Sequence, residues 1–436
     1  MTNSTSKVEG TFFPENKEEL EKLIASFKKE EVKFPTRAVV APHAGYQYSG
    51  ELAYRAISLI NRDVKNIFII APAHKLYFKG MALLNHDYIV TPLGRIEVNR
   101  EINNELKEEF ECEFKTEAFV DEHAIEVQVP LIQSLFDEIK IIPIVICDMP
   151  PDKIVKILEK YYPDKDNAFV ISSDLSHYLT DIEAMKLDTI TAIKIETGDL
   201  KDFQTNMACN AISLYALSYF ARQNNYSLIR LDLYNSSKTT NYIERVVGYG
   251  AWGLYEDKKN NFIKQNYRDV LIDIVKKSIR DEKIPAYPKV LDEIGACFVT
   301  LNKSGNLRGC IGSIIPHRPL IVDLVINSKN AAYNDPRFRA VQKDELDELD
   351  IEISLLSEPV EMRFNDEEDL LNQIKENEDG IIIQDKEAKA VYLPSVWGQL
   401  HDKKVFLSSL KLKAGLPHDH FSDTFKAYKF SATMIK

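Results

Sequence analysis

The sequence lacks any hydrophobic run long enough to cross a membrane. Its longest apolar stretches, such as residues 141–147, fall far short of the roughly 18 residues that a membrane helix needs, and this one contains Pro143. The first ten residues carry no charged-then-apolar signal pattern. The five cysteines form no CxxC pair, and their odd number is typical of a reducing compartment. We therefore expect a cytoplasmic protein that is not attached to a membrane.

Positive charge is outnumbered by negative charge. Lysine and arginine number 55 against 67 aspartates and glutamates, so the net charge of -12 repels phosphate, and we find no basic patch that would bind nucleic acid. We also find no internal repeat and no low-complexity segment. The hydrophobic fraction of 44% and the charged fraction of 28% are those of a folded globular chain, and its 436 residues predict roughly two to three domains.

The first half of the chain alternates short apolar runs with amphipathic stretches. This alternation predicts an α/β domain with a mainly parallel sheet covered by helices. The predicted strands are residues 37–40, 64–71, 141–147, 168–172, 228–233 and 245–255, and helical patterns include 52–60, 126–136, 154–161 and 210–223.

A polar run at residues 256–261 interrupts this pattern, and a new helical period begins after it. We place the domain boundary there, which gives a first domain at residues 1–258 and a second at 262–436. Two apolar runs at 296–301 and 307–313 flank turn-forming residues and predict a β-hairpin. The second domain is therefore expected to be a smaller α+β domain.

Polar side chains follow three of the predicted strands of the first domain. His43 and His74 each come directly after an apolar run, and Asp174 and His177 follow a third. Ligands of open α/β sheets bind beyond the carboxyl ends of the strands, so these side chains converge only if their strands are neighbours. One βαβ crossover predicts that the strands before His43 and His74 lie side by side.

Two imidazoles with one anionic ligand form an open iron, copper or zinc site. The residues alone leave the anion open between Asp174, Glu122, Glu126 and a cysteine thiolate. Each histidine taken singly is more often a hydrogen-bonded structural residue than a ligand.

Two further segments carry candidate functional residues. His123 and Glu126 are three apart at a predicted helix start, so they could form a buried catalytic pair on one helical face or simply complement the helix dipole. Cys209 precedes an apolar helix, where the helix N-terminus is expected to lower the pKa of the thiol towards a metal-binding thiolate; a buried inert cysteine is the alternative.

These residues carry a family resemblance. The segments at residues 42–50, 121–126 and 172–177 resemble ordered motifs of the Memo family, over roughly residues 8 to 255. That family is similar in fold to the LigB-type subunit of extradiol ring-cleaving dioxygenases. The resemblance implies a metal pocket, although fold alone does not establish the reaction.

Carried over residue by residue, the resemblance implies that His43, His74 and Cys209 bind iron or copper, with zinc as an alternative. It implies that the catalytic residues of the same pocket are Asp174, His177, His123 and Tyr48. Dioxygenases of this type use two histidines and a carboxylate for Fe(II), whereas Cys209 would supply sulfur. A thiolate shifts the preference of the site towards Cu(I), zinc or a more electron-rich iron.

The second domain resembles the AMMECR family from about residue 262 to the end. The resemblance rests on residues 295–300, the Leu-Arg-Gly-Cys-Ile-Gly signature at 307–312 and residues 334–338. Gly309 and Gly312 are sufficiently explained by close backbone approach in a strand. The functional alternative is that four residues of these segments line a cleft for a small molecule or peptide: Arg308, Cys310, Asp335 and Arg337.

Fusions of these two families are associated with a radical S-adenosylmethionine enzyme, which the resemblance implies as a partner. This chain lacks the CxxxCxxC run that would hold such an iron-sulfur cluster. The sequence therefore predicts a metal-dependent oxidoreductase of dioxygenase-related fold, acting on an unidentified small-molecule or peptide substrate. The alternatives are a non-catalytic metal-binding or protein-interaction scaffold, and zinc-assisted hydrolysis.

Overall fold

The structure is a computed structural model that describes residues 3–5, 8–29 and 35–436. The chain separates into two compact units, Met1–Lys259 and Asn260–Lys436. The division falls within the polar run at residues 256–261. In the described ranges, no helix combines the length and hydropathy needed to cross a lipid bilayer.

Strands and helices alternate along the first unit. Its strands are β1 (Asn3–Thr5), β2 (Ala38–Ala41), β3 (Asn66–Pro72), β4 (Gly80–Leu83), β5 (Tyr88–Thr91), β6 (Gly94–Val98), β7 (Glu113–Phe114), β8 (Lys140–Cys147), β9 (Asn167–Ser172), β10 (His177–Leu179), β11 (Ser227–Asn235) and β12 (Val246–Tyr255). Its helices are α1 (Lys17–Ser26), α2 (Glu51–Ser58), α3 (Arg100–Glu109), α4 (His123–Glu126), α5 (Gln128–Leu135), α6 (Asp152–Tyr161), α7 (Asp181–Thr197), α8 (Ala211–Gln223) and α9 (Ser237–Thr240).

All twelve strands join one mixed sheet, whose main path runs β1-β5-β6-β8-β3-β9-β2-β12-β10. The central strands β8, β3, β9 and β2 are parallel, so their carboxyl ends meet at one edge. The predicted fold class of this unit is confirmed. The expectation that the strands before His43 and His74 are direct neighbours is wrong, because β9 is inserted between β2 and β3.

The central strands are buried on both faces, which explains their continuous apolar runs. In β3, Ile67 and Ile69 pack into one hydrophobic core, whereas Phe68 and Ile70 pack into the other. Helix α2 supplies side chains to the first core, and α6 and α8 supply the second. Trp252, on β12, is fully buried, and its indole N–H donates to Glu196 at 2.9 Å.

The predicted helix at residues 126–136 is divided in the structure. The one-turn helix α4 ends at Glu126, and α5 begins at Gln128. Pro130 lies in the first turn of α5, where the missing proline N–H breaks no helical hydrogen bond. His123 therefore opens a short helix of its own at the edge of the sheet.

The second unit contains antiparallel sheets and helices, as predicted. Its helices are α10 (Lys259–Ile279), which begins at the boundary, α11 (Leu320–Tyr333), α12 (Glu367–Gln373) and α13 (Lys403–Lys413). Its strands are β13 (Ile294–Lys303), β14 (Asn306–Gly312), β15 (Arg318–Pro319), β16 (Leu349–Leu356), β17 (Val360–Met362), β18 (Gly380–Asp385), β19 (Ala388–Tyr392), β20 (Lys426–Phe430) and β21 (Ala432–Ile435). One sheet has the path β14-β13-β16-β21 and the other β17-β20-β18-β19.

The predicted hairpin is present as β13 and β14. Ser304 and Gly305 connect the strands, and both have positive φ, at 51° and 77°, as a two-residue hairpin turn of type I′ requires.

The core of this unit also contains one tryptophan. Trp397 stacks on Phe406 at a centroid distance of 3.8 Å and is 1% exposed.

Candidate metal centre

Two histidines and one cysteine converge at the carboxyl edge of the central strands. His43 lies two residues beyond β2, and His74 lies two residues beyond β3. Cys209 lies two residues before α8. One ligand atom from each of the three residues lies within 4.8 Å of the others, and His43 Nε2 is 3.3 Å from Cys209 Sγ. The predicted metal-ligand set is therefore assembled in space.

Asn210 explains why Cys209 reaches this edge. It caps the N-terminus of α8, and its buried side-chain amide donates to the carbonyl oxygens of Ile70 and Ser172, both at 3.0 Å. These two carbonyls belong to β3 and β9, so hydrogen bonds join the N-terminus of α8 directly to the two strand ends. The sequence analysis missed this role, although an asparagine just before an apolar helical pattern indicates a helix cap.

The surroundings of His43 fix which ring nitrogen carries its proton. Ser172 Oγ donates its single proton to the carbonyl oxygen of Ala124 at 2.7 Å, and it accepts from Gln128 Nε2 at 3.0 Å. His43 Nδ1, 2.9 Å from the same oxygen, must therefore be a donor in the assigned hydrogen-bond network. In the neutral ring, Nε2 keeps its lone pair and faces Cys209.

Glu122 accepts a hydrogen bond from His74 Nδ1, as Ser172 does from His43 Nδ1. One carboxylate oxygen accepts from His74 Nδ1 at 2.8 Å, and the other accepts from the His74 backbone N–H at 2.6 Å. Glu122 is 1% exposed, and the Ala124 N–H also donates to it at 3.1 Å. Burial alone would raise the Glu122 pKa, but the hydrogen bonds from His74 and Ala124 outweigh burial and lower it. Nε2 of His74 is thus free for a ligand.

A third imidazole joins these two. The His123 ring stacks between Phe12, at a centroid distance of 4.5 Å, and His74, at 4.6 Å, and lies 5.3 Å from His43. Burial lowers the pKa of His123 to about 4, lowers that of His43 well below its usual range, and lowers that of His177. These rings are therefore neutral at physiological pH, which is the form that binds metal.

The predicted pairing of His123 with Glu126 remains a prediction. Both residues lie on α4, and Glu126 is buried, but the His123 ring contacts the histidine cluster and Phe12. The sequence analysis missed Phe12 because it lies far from the other site residues along the chain and carries no reactive group.

Asp174 contacts two of the proposed ligands, His43 and Cys209. Its side-chain oxygen accepts from the His43 backbone N–H at 2.8 Å, and its own N–H donates to Cys209 Sγ at 3.2 Å. Burial raises the pKa of Asp174 to about 7, against the lowering effect of backbone N–H groups of His43 and Ala44. His177, on β10, is close enough that a proton on its ring would lower the pKa of His43.

Tyr48 lies in a π-helical turn at Tyr46–Gly50, and its carbonyl oxygen accepts from the Tyr234 hydroxyl at 3.2 Å. Burial raises the pKa of Tyr249, and the charges of Asp174 and Tyr48 both add to this effect. Within the described residues, no hydrogen bond joins the Tyr48 hydroxyl to His43, His74 or Cys209.

The expectation that the helix start lowers the Cys209 pKa is wrong for the metal-free chain. Burial raises the pKa of this thiol, and the neighbouring Asp174 charge raises it further. Hydrogen bonds from Ser173 and from the Asp174 and Asn210 N–H groups oppose these effects without cancelling them. Metal binding at this sulfur would therefore displace a proton.

In the second unit, the signature segment is held by an ion pair between the buried Asp335 and the half-exposed Arg337. The Cys310 N–H donates to Asp335 at 2.8 Å, and the Arg337 guanidinium donates both to Asp335 at 2.7 Å and to the Cys310 carbonyl at 3.0 Å. β14 is an edge strand, so Asp335 and Arg337 occupy its open hydrogen-bonding groups. Arg308 forms a two-pronged pair with Glu345. These contacts favour the structural interpretation of the signature.

The chain was compared with known proteins. The family model described as Memo-like protein matches residues 5–252, and the family model described as AMMECR1 matches residues 267–435. A MEMO1 family protein of Thermoplasma acidophilum is 32% identical over 260 residues, which are 56% of this chain and 96% of that protein. A MEMO1 family protein of Archaeoglobus fulgidus is 30% identical over 224 residues, or 48% of this chain and 85% of that protein.

A crystal structure of an uncharacterised protein from Pyrococcus horikoshii aligns with a TM-score of 0.35 and 31% identity, covering 40% of this chain and 90% of that chain. The Memo-like match covers more than half of the chain, and nearly the whole Thermoplasma protein is aligned. On these matches the chain belongs to the Memo family and carries an AMMECR1 segment after its Memo segment.

Proposed function

We propose that the first unit binds a redox-active metal, iron or copper, through His43, His74 and Cys209, and that the protein is a metal-dependent oxidoreductase. The observation that carries this proposal is the convergence of the three ligand atoms within 4.8 Å. The donor set fits such a metal, because both imidazoles offer an Nε2 lone pair while their Nδ1 atoms are engaged by Ser172 and Glu122.

Two nitrogens and one sulfur suit several transition metals. Thiolate and imidazole together favour copper or iron over hard cations such as Mg²⁺, and zinc accepts the same donors. Iron or copper held there would supply one-electron redox chemistry, whereas zinc would supply Lewis-acid chemistry for hydrolysis. Metal analysis distinguishes these cases.

The neighbouring side chains would orient a substrate and handle protons. Asp174 lies against the His43 backbone and carries a carboxyl whose raised pKa, near 7, suits proton exchange near neutral pH. The neutral rings of His123 and His177 border the same cluster and can hydrogen-bond to a substrate. Phe12 covers the outer face of His123 and limits the access of water to it. The catalytic roles of Asp174, His177, His123 and Tyr48 belong to this proposal.

The proposed partner is a radical S-adenosylmethionine enzyme, and the support for it is the joint resemblance to the Memo and AMMECR families. The substrate class stays as proposed from the sequence, a small molecule or peptide. A scaffold that binds metal without turnover is the alternative. Redox activity of the metal-loaded chain separates the two.

The test is metal content by mass spectrometry, with circular dichroism as a check of folding. His43→Ala/His74→Ala should lose most bound metal and stay folded, because neither ring is part of a hydrophobic core. The matched control is His317→Ala/His401→Ala, which removes two exposed histidines of the second unit and should leave the metal in place. Full occupancy in the folded first variant would overturn the site.

Cys209→Ser should weaken binding of copper more than that of zinc, because it removes the soft ligand. Oxygen consumption with ascorbate as the reductant tests the redox part of the proposal. The metal-loaded chain should consume oxygen faster than His43→Ala/His74→Ala. Equal rates of oxygen consumption in the two chains would contradict the oxidoreductase proposal and leave only metal binding.

A further inference from the structure

Asp188 is a buried carboxyl group that the proposed function does not use. It lies on the inner side of α7 and is 3% exposed. The other buried residues of this helix are uncharged: Ala184, Thr191, Ala192 and Ile195. Among the described residues, no lysine or arginine pairs with this carboxyl group. Burying a carboxylate without a cationic partner destabilises a fold, so packing alone does not explain an aspartate at this position.

The carboxyl group of Asp188 contacts the segment that carries Asp174 and His177. Its Oδ1 accepts a hydrogen bond from the backbone N–H of Ser176 at 3.0 Å. Ser176 lies between Asp174 and His177 in the sequence and is fully buried. A side chain of α7 therefore holds the backbone that connects two of the proposed catalytic residues.

Gly248, on β12, contacts both this segment and Asp188. Its N–H donates to the Ser176 carbonyl oxygen at 2.8 Å, and its carbonyl oxygen accepts from the Leu175 N–H at 2.8 Å. A Cβ at Gly248 would lie 2.0 Å from Asp188 Oδ2, so glycine leaves the room that the carboxyl group occupies. We call Leu175, Ser176, Asp188 and Gly248 the Asp188 cluster.

The strand that follows this cluster is paired irregularly. β10 pairs with β12 at His177 and Leu179, and the register shifts between them, as at a β-bulge. Tyr178, at this shift, has a φ of 60°, which is strained for a bulky side chain. The His177 ring itself donates to the Leu175 carbonyl, and this hydrogen bond opposes the lowering of its pKa by burial. The direction of the His177 ring therefore depends on the Asp188 cluster.

We propose that Asp188 is a positioning residue, whose carboxylate fixes the backbone at Ser176 and thereby the His177 side chain at the candidate metal centre. The inference rests on the proposed function, which gives His177 a catalytic role. Asp188 acts through the backbone, because its hydrogen bond goes to Ser176 and not to a proposed metal ligand.

Amide hydrogen exchange and histidine NMR of the metal-free full chain test the proposal. In Asp188→Ala, the Ser176 amide should exchange at least about ten-fold faster, because its hydrogen bond to a charged acceptor is lost. The imidazole signal of His177, assigned by its loss in His177→Gln, should shift. Asp188→Asn is the matched control, because it keeps an oxygen acceptor at the same place. Both measurements should stay near their wild-type values in this control.

The double variant Asp188→Ala/Gly248→Ala separates positioning from packing. The methyl group added at position 248 fills the space that the carboxyl group leaves, so this variant should be more stable than Asp188→Ala. It supplies no acceptor for the Ser176 N–H. The fast exchange and the shifted His177 signal should therefore persist. A double variant that returns both to their wild-type values would show that packing alone fixes the segment, and it would overturn the proposal.

Circular dichroism verifies that each variant is folded. If Asp188→Ala does not fold, Asp188→Leu replaces it, because leucine keeps the volume of the side chain and has no acceptor. Wild-type exchange at Ser176 together with an unchanged His177 signal in the folded variant also overturns the proposal. Both measurements use the metal-free chain, so a failure of metal binding would contradict the proposed function and leave this test intact.

Discussion

Two carboxyl groups of the first unit differ in their pKa values from two of the second. In the first unit, Asp174 and Asp188 are held mainly by backbone N–H groups, and burial raises their pKa values to about 7 and about 6. In the second unit, hydrogen bonds from Arg308 and the Gln342 N–H hold the pKa of Glu345 at about 2, and Arg337 lowers that of Asp335 below its usual range.

The difference separates a candidate reaction site from a structural one. Raised carboxyl pKa values and neutral histidines, gathered where parallel strands end, are the environment in which proton exchange near pH 7 is available. Carboxylates paired with arginines instead stay ionised and fix the backbone of β14 and its neighbours. Similar residue types therefore form a candidate reaction site in one unit and stabilise the fold in the other.

The largest effect is expected from Gly309→Ala, which tests the structural interpretation of the second unit. A Cβ at Gly309 would clash with the backbone carbonyl oxygen of Ala331 in α11, which cannot move aside as a side chain could. The free energy of unfolding of the second unit should fall by about 3 kcal/mol. Urea unfolding with mass-spectrometric proteolysis measures each unit separately.

The control for this change is Gly398→Ala, because no atom lies within 4 Å of the added Cβ and the backbone has no positive φ there. Its unfolding free energy should stay near the wild-type value. A Gly309→Ala chain with unchanged stability would show that close packing of α11 on β14 does not explain the signature glycine.

Glu122→Gln tests whether the buried carboxylate orients His74 at the candidate metal centre. His74 donates two hydrogen bonds to the two carboxylate oxygens, and an amide offers only one oxygen. Metal affinity should fall about 10- to 100-fold, as expected when an outer partner of a ligand is lost. Competition with a chelator of known affinity measures it.

Glu345→Gln is the counterpart in the second unit and should leave the metal affinity unchanged, because Glu345 pairs with Arg308 and Lys303. If Glu122→Gln binds metal as tightly as the wild type, His74 is oriented without its carboxylate partner.

The last prediction concerns pH. Asp188 has a folded pKa of about 6, above its ordinary value of 3.8, so the folded chain keeps this proton longer than the unfolded chain does. The stability of the first unit should therefore decrease between about pH 4 and about pH 7, by about 2–3 kcal/mol from this group. Asp188→Asn should flatten that slope in urea unfolding.

The pKa of Glu345 is shifted in the opposite direction to that of Asp188. Its lowered pKa contributes stability above about pH 4.5, and this stability is lost as the pH falls towards about 2. Glu345→Gln should thus lower the stability of the second unit above about pH 4.5 and flatten its acidic limb. Identical pH profiles for Asp188→Asn and wild type would show that the carboxyl of Asp188 ionises normally in the fold.

The sequence predicted what depends on local pattern. The strands before His43, His74 and Asp174 were recognised because a strand buried on both faces is a continuous apolar run, and the end of that run marks the edge of the sheet. The turn at Ser304 and Gly305 was predicted because glycine accepts positive φ.

What depends on tertiary packing could not be predicted. Strand order places β9 between β2 and β3, and no local pattern records it. The contacts of Ser172 with His43 and of Phe12 with His123 join residues more than a hundred positions apart. The sign of the Cys209 pKa shift was wrong because the helix start was weighed without the burial that the fold imposes.

The two tryptophans of the chain are divided between the units, one in each core. Trp252 donates to a carboxylate in the first unit, whereas Trp397 lies flat on Phe406 and donates to a backbone carbonyl in the second. Intrinsic fluorescence therefore offers a ready optical reporter for each half. In Trp397→Phe the emission comes from Trp252 alone, so the fluorescence then reports only on the unit that contains the candidate metal centre.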